Sequence, residues 1–73
     1  MKSKVLVALF INYGLHSGNA TPIDLKVFGN HKSKNDYLTK HNFELFRKYG
    51  TDEIWIHSHN QNKQVEISYE NIL

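Results

Sequence analysis

The sequence predicts a small α+β domain, one unit over residues 1–73, with the order strand, strand, helix, strand, strand. Three observations carry that reading. Val5 to Ile11 is an apolar run without alternation, as expected of a strand covered on both faces. Pro22–Phe28, Glu53–His59 and Gln64–Glu70 alternate apolar and polar residues with a period of two. Between them, the stretch from Lys34 to Tyr49 has helical spacing and ends at Gly50.

The first strand, from Met1 to Ile11, opens with Lys2 and Lys4 ahead of its apolar run, and Gly18-Asn19-Ala20 could pass for a cleavage site. That resembles a secretory signal. The run is short for one, however, and polar Asn12, Tyr13 and His16 precede any cleavage point. We expect a retained central strand and a cytoplasmic protein, since the run is also too short to span a membrane. Tyr13 to Thr21 reads as a hairpin connection built on Gly14, Ser17, Gly18 and Asn19. It lacks the lysine and hydroxyl of a phosphate-binding loop. In the second strand Ile23, Leu25 and Val27 are expected on one face, with Lys26 and Phe28 on the other, and Pro22 suits an edge position.

For the helix, Leu38, Leu45, Phe46 and Tyr49 fall on one stripe at 100° per residue. Asp36–Lys40 and Glu44–Lys48 are acid-to-base pairs four apart, and Ser33 is the expected N-cap. Asn42 sits in the middle of the apolar stripe as a misfit, expected to be a buried amide bonded to backbone. In the third strand Ile54 and Ile56 are expected inward, with Trp55, His57 and His59 outward. Asn60 to Lys63 would form the next connection, and Val65, Ile67 and Tyr69 the inward face of the last strand. Ile72 or Leu73 is expected to pack against the body of the protein.

Composition narrows the functions. There is no cysteine, which removes disulfides and thiolate metal sites. Nine Lys/Arg against seven Asp/Glu leave a formal charge of +2, which permits nucleic-acid contact without indicating it. A chain of 73 residues buries a marginal core, so association is a natural source of added stability.

With one helix covering one side, the other face of the sheet would carry Trp55, Phe28, Lys26, His57 and His59 beside Glu66 and Ser68. Such a face is too apolar to stay in water without consequence, and it is the expected binding surface. His31, Lys32 and Lys34 form a basic loop at its margin. His57 and His59, two apart on a strand, could give two ligands to zinc, with Glu66, Glu53, His16 or His31 as a third. That spacing is cheap to obtain by chance, and no cofactor or metal is expected. No catalytic residue is assigned, because the chain shows no paired carboxylates and no activated nucleophile. The function expected is a small, non-enzymatic interaction or regulatory module. It would self-associate as a homodimer or small oligomer through the aromatic sheet face or a sheet edge, or bind another protein. A single-stranded nucleic-acid binder is the alternative, and a His-dependent metalloenzyme the third reading.

The element order and the apolar first strand resemble the β-grasp arrangement of ubiquitin-like and immunoglobulin-binding bacterial domains. The chain ends Asn71-Ile72-Leu73 rather than in a glycine pair, so the resemblance implies a fold and no conjugation chemistry. A four-stranded meander with the helix on one face is the alternative topology.

Overall fold

The computed structural model describes residues 3–14 and 18–72. Its elements are β1 (Ser3–Tyr13), β2 (Ala20–Phe28), α1 (His31–Lys40), β3 (Phe43–Tyr49), β4 (Asp52–His57) and β5 (Asn60–Ile72). The five strands form one sheet in the order β2-β1-β5-β4-β3, antiparallel throughout. It is a compact α+β domain as expected, with five strands rather than four. Neither a four-stranded meander nor a four-stranded β-grasp describes it. The helix is not long and apolar enough to cross a membrane. The roles expected of Lys2, His16 and Leu73 concern residues outside those described.

The added strand comes from the second half of the expected helix. α1 starts earlier, at His31, where the Asn30 side chain accepts a hydrogen bond from the Ser33 amide at 2.8 Å; the N-cap is therefore Asn30, not Ser33. It stops at Lys40, and Asn42 takes φ 67°, the left-handed conformation that closes a helix. Its amide bonds back to the Thr39 carbonyl at 3.1 Å. Asn42 is thus the terminator, and the misfit in the apolar stripe was the sign of it. Beyond it, Phe43-Glu44-Leu45-Phe46-Arg47-Lys48-Tyr49 is rich in aromatics that favour an extended backbone. The ion pair four apart on the helix is Lys32–Asp36, at 2.9 Å, rather than Asp36–Lys40. Gly50, φ 60°, is the first of two residues joining β3 to β4, where such a hairpin turn demands glycine. We expect Asn42→Gly to leave the midpoint of urea unfolding unchanged and Asn42→Val to cost about 1–2 kcal/mol. Equal stability of the two variants would show that this residue does not set the helix end.

β1 lies inside the sheet between β2 and β5, as its unbroken apolar run suggested, though the helix covers only one of its faces, and β2 is an edge strand as Pro22 suggested. β5 begins at Asn60, so the β4–β5 connection is Ser58-His59, two residues ahead of the segment expected.

The core fills the space between α1 and one face of the sheet. Leu6, Ala8, Phe10, Leu38, Trp55, Val65 and Ile67 are buried there, flanked by Phe28, Tyr37 and Phe43. A helix of ten residues spans only about 15 Å. It sends few large side chains inward, so the sheet must supply the bulk. Phe10 meets Tyr37 and Phe43 edge-on at 6.2 and 5.9 Å, and Phe28 lies 5.5 Å from Tyr37. That need inverts two strands relative to expectation. Trp55 on β4, and Phe28 with Lys26 on β2, face the helix, while Ile23, Leu25 and Val27 are exposed. Ile54 and Ile56, the alternate positions of β4, lie on the open side. Val65 and Ile67 face inward as expected, with Tyr69 following them near the sheet's end.

Candidate functional site

The residues expected to share one uncovered sheet face do not: Trp55 is buried, Lys26, Phe28 and His57 are half-buried, and His59 is exposed. Trp55 is 7% exposed beneath α1. Lys26 extends over the Tyr37 ring at 5.3 Å, Phe28 packs on the same ring, and the His57 ring meets Phe43 edge-on at 5.2 Å. His59 lies in the β4–β5 turn, where its amide donates to His57 Nδ1 at 3.1 Å. That bond occupies one of the two nitrogens of His57 that could hold a metal. Among the described residues no group of three His, Asp or Glu side chains gathers at a metal-binding spacing, so Glu66, Glu53 and His31 do not complete such a set with this pair.

The expected basic loop is the first turn of α1, and its three members part company. Lys32 points to solvent and pairs with Asp36. Lys34 is 1% exposed, and its ammonium donates to Glu53 Oε1; Glu53 is itself 4% exposed. The same oxygen accepts from Trp55 Nε1 at 2.8 Å, while Oε2 faces His31 Nδ1 at 4.0 Å. The ammonium also lies 5.0 Å from the centre of the Trp55 ring. Burial pushes the Glu53 carboxyl upward, and the hydrogen bonds from Lys34 and Trp55, with the nearby charges of Lys34 and His31, outweigh it. The net result holds Glu53 below the ordinary carboxylate range. A carboxyl held ionised in this way is a weak proton acceptor at neutral pH. The cluster clamps helix to sheet. It borders a shallow hollow of about 330 Å³ that also touches Asn35, Leu45 and Lys48. Glu53 and Trp55, two apart on a strand, were bound to share a face, a signal present in the sequence and overlooked.

The open face of the sheet is the second arrangement. The strand register aligns Leu25, Leu9, Glu66, Ile54 and Arg47 in one row across all five strands. The next row is Pro22, Ile11, Gln64, Ile56 and Glu44, in which Ile11 is buried. Val7 pairs with Val27 on one side and Ser68 on the other. Leu25 is 58% exposed, Val27 60% and Phe46 61%, the last with the Arg47 guanidinium 5.6 Å from its ring centre. Two hollows follow one another along β4 and β5. One of about 370 Å³ is bounded by Leu9, Asp52, Ile54 and Glu66, and one of about 440 Å³ by Glu44, Phe46, Ile56 and Gln64.

Charge divides between the two sides. The open face carries Glu44, Asp52, Glu66 and Glu70 against Arg47. The helix layer carries Lys4, Lys26, Lys32, Lys34, Lys40, Lys48 and Lys63 against Asp24, Asp36 and Glu53. The small net charge conceals this polarity, because residues of opposite sign are sorted by strand alternation and not by sequence block.

Both sheet edges are blunted. On β2, Pro22 lacks a donor, Ile23 is left unopposed by the bulge, and the Leu25 amide is taken by Asp24 Oδ1 at 2.8 Å. On β3 a second bulge leaves Phe46 unopposed, with charged Arg47 and Lys48 following. Comparison of the chain with models of protein families, with curated proteins and with solved structures finds no match.

Proposed function

We propose that this chain is a non-enzymatic interaction module that works by burying the open face of its sheet against a macromolecular partner. The observation that carries the reading is the row Leu25, Leu9, Glu66, Ile54, Arg47 on an uncovered face. Five strands about 4.8 Å apart, over about eight residues, give an aliphatic-acidic surface of about 500 Å². A patch of that size on a small protein marks a contact site. The edges are protected, so the face is the surface left for association.

A second copy is the weaker occupant of that face. β5 is the middle strand, so a two-fold axis through the centre of the face would set Glu66 against Glu66 of the other copy, at a cost in like-charge repulsion. The exposed side of α1, with Lys32, Asn35, Asp36, Thr39 and Lys40, is polar and cannot satisfy an aliphatic surface. The partner proposed is therefore another protein. The tagged full chain, isolated from its own host, should run in an assembly larger than the chain alone. Leu25→Glu with Ile54→Glu should abolish that assembly, and Lys32→Glu should leave it intact. An assembly indifferent to the face substitutions would overturn the proposal.

The cation excess around α1 favours a second reading, a contact between the helix layer and single-stranded nucleic acid. His31 and Lys4 sit against the Tyr69 ring, and Lys26 and His41 against Tyr37, a mixture of rings and cations suited to bases and phosphates. On that reading oligonucleotide affinity falls steeply with salt and is lost in Lys32→Glu with Lys40→Glu. No binding at low salt would remove it.

A further inference from the structure

We infer that the partner of the open face is a basic amphipathic helix of another protein, lying along β4 and β5 with a lysine or arginine opposite Glu66. The inference rests on the interaction reading above and names the chemistry of the occupant.

The sheet already shows how it takes a helix. On its inner face Glu53 stands between Ile67 and Lys48 beside the apolar core, and α1 answers that acid with Lys34 while laying Leu38 against the apolar residues. The outer face repeats the pattern without a helix. Glu66 stands between Leu9 and Ile54 on the neighbouring strands, an acid inside an aliphatic row. Arg47 lies in the same row two strands away, but its guanidinium is turned to the Phe46 ring, 5.6 Å from the ring centre, and donates to the Tyr49 hydroxyl at 3.2 Å instead of pairing with Glu66.

Shape and charge narrow the occupant further. The two hollows run along β4 and β5, the first with Glu66 and Asp52 on its lining and the second with Glu44. Their apolar floor is Leu9, Ile54, Ile56 and Phe46. The six residues of β4 span about 20 Å, the length of a helix of about 13 residues. A helix about 10 Å wide with one apolar stripe fills such a groove, as amphipathic targets do elsewhere. Four carboxylates against one guanidinium on this face select a cationic helix and repel an acidic one.

The test uses the full chain and two synthetic 14-residue amphipathic peptides, one of leucine and lysine and one of leucine and glutamate, followed by calorimetry at low and moderate salt. The leucine–lysine peptide is expected to bind saturably at one site, with affinity reduced roughly tenfold in Glu66→Gln and abolished in Ile54→Asp. Asp36→Asn, on the helix side, is expected to leave that affinity unchanged, and the leucine–glutamate peptide is expected not to bind. Equal binding of the two peptides would overturn the inference while leaving the face as a contact surface, because charge would then select nothing. A dimer at high micromolar concentration that Ile54→Asp dissociates would also overturn it, making a second copy the occupant. Failure of the leucine–lysine peptide to bind a monomeric chain overturns it as well; the interaction reading falls separately, only if the native assembly ignores the face substitutions.

Discussion

Glu53→Gln is expected to destabilise the fold by about 3 kcal/mol, measured as a shift in urea unfolding without a change in slope. The cost arises because Lys34 is 1% exposed and would be left buried with no anion beside it. The double variant Lys34→Met with Glu53→Gln should recover most of that loss. It removes both charges and leaves an amide oxygen to accept from Trp55 Nε1, now donating to Glu53 at 2.8 Å. The two substitutions are therefore expected to be strongly non-additive. Glu53→Gln within about 0.5 kcal/mol of the wild type would show that the pair is open to water. The same pair sets an acid limit. Glu53 titrates below its ordinary value of 4.5, so the unfolded chain binds a proton there before the folded one does. The stability it contributes is complete above about pH 4.5 and is lost as pH falls through the lower, folded value. Glu53→Gln should remove that part of the acid transition, and a wild type whose stability is flat below this range would refute the assignment.

Trp55→Ala is expected to remove about half of the chain's stability or more. Emptying the place of a tryptophan in a packed core costs about 3–5 kcal/mol, and a domain of this size holds only about 4–10 kcal/mol in all. The substitution also removes the Nε1–H donor to Glu53 and the ring beside the Lys34 ammonium, so the clamp loses two of its contacts together. Trp55 is the single tryptophan of the chain, which makes its fluorescence a direct report. Emission should be blue-shifted and poorly quenched by iodide in the native protein, and should move red in step with unfolding. An indole quenched as freely as in a peptide would place Trp55 on the solvent side and reverse the faces of β4.

Much of the architecture follows from local pattern. Val5–Ile11 has no polar alternate, and β1 lies inside the sheet between β2 and β5 as that suggested, but the helix covers only its Leu6, Ala8 and Phe10 side, and Val7 and Leu9 fall on the open face. Pro22 marked β2 as an edge, and Val65 and Ile67 marked the inward side of β5. These depend on neighbours within a few residues. The helix end did not follow from the apolar spacing, because Leu38, Leu45, Phe46 and Tyr49 satisfy a helical stripe by coincidence, and the backbone of Asn42 overrides it at φ 67°. One residue in the left-handed region ends a helix whatever the hydrophobic period beyond it.

Alternation in β2 and β4 determined by itself that Trp55 and Ile54 lie on opposite faces, and likewise Phe28 and Val27. Which face met the helix was decided only by tertiary packing. Both sets are apolar, and a period of two is unchanged when a strand is turned over. The choice went to the aromatics because a short helix carrying Leu38, Tyr37 and Lys34 inward leaves a volume that Phe10, Phe28, Phe43 and Trp55 fill and isoleucines would not. The same choice put Lys34 against Glu53, nineteen positions apart in the chain, and turned Leu25, Val27, Ile54 and Ile56 to the open side. The composition therefore required some uncovered apolar face on a sheet with one helix, and only the packing decided that it would be aliphatic and acidic instead of aromatic and basic.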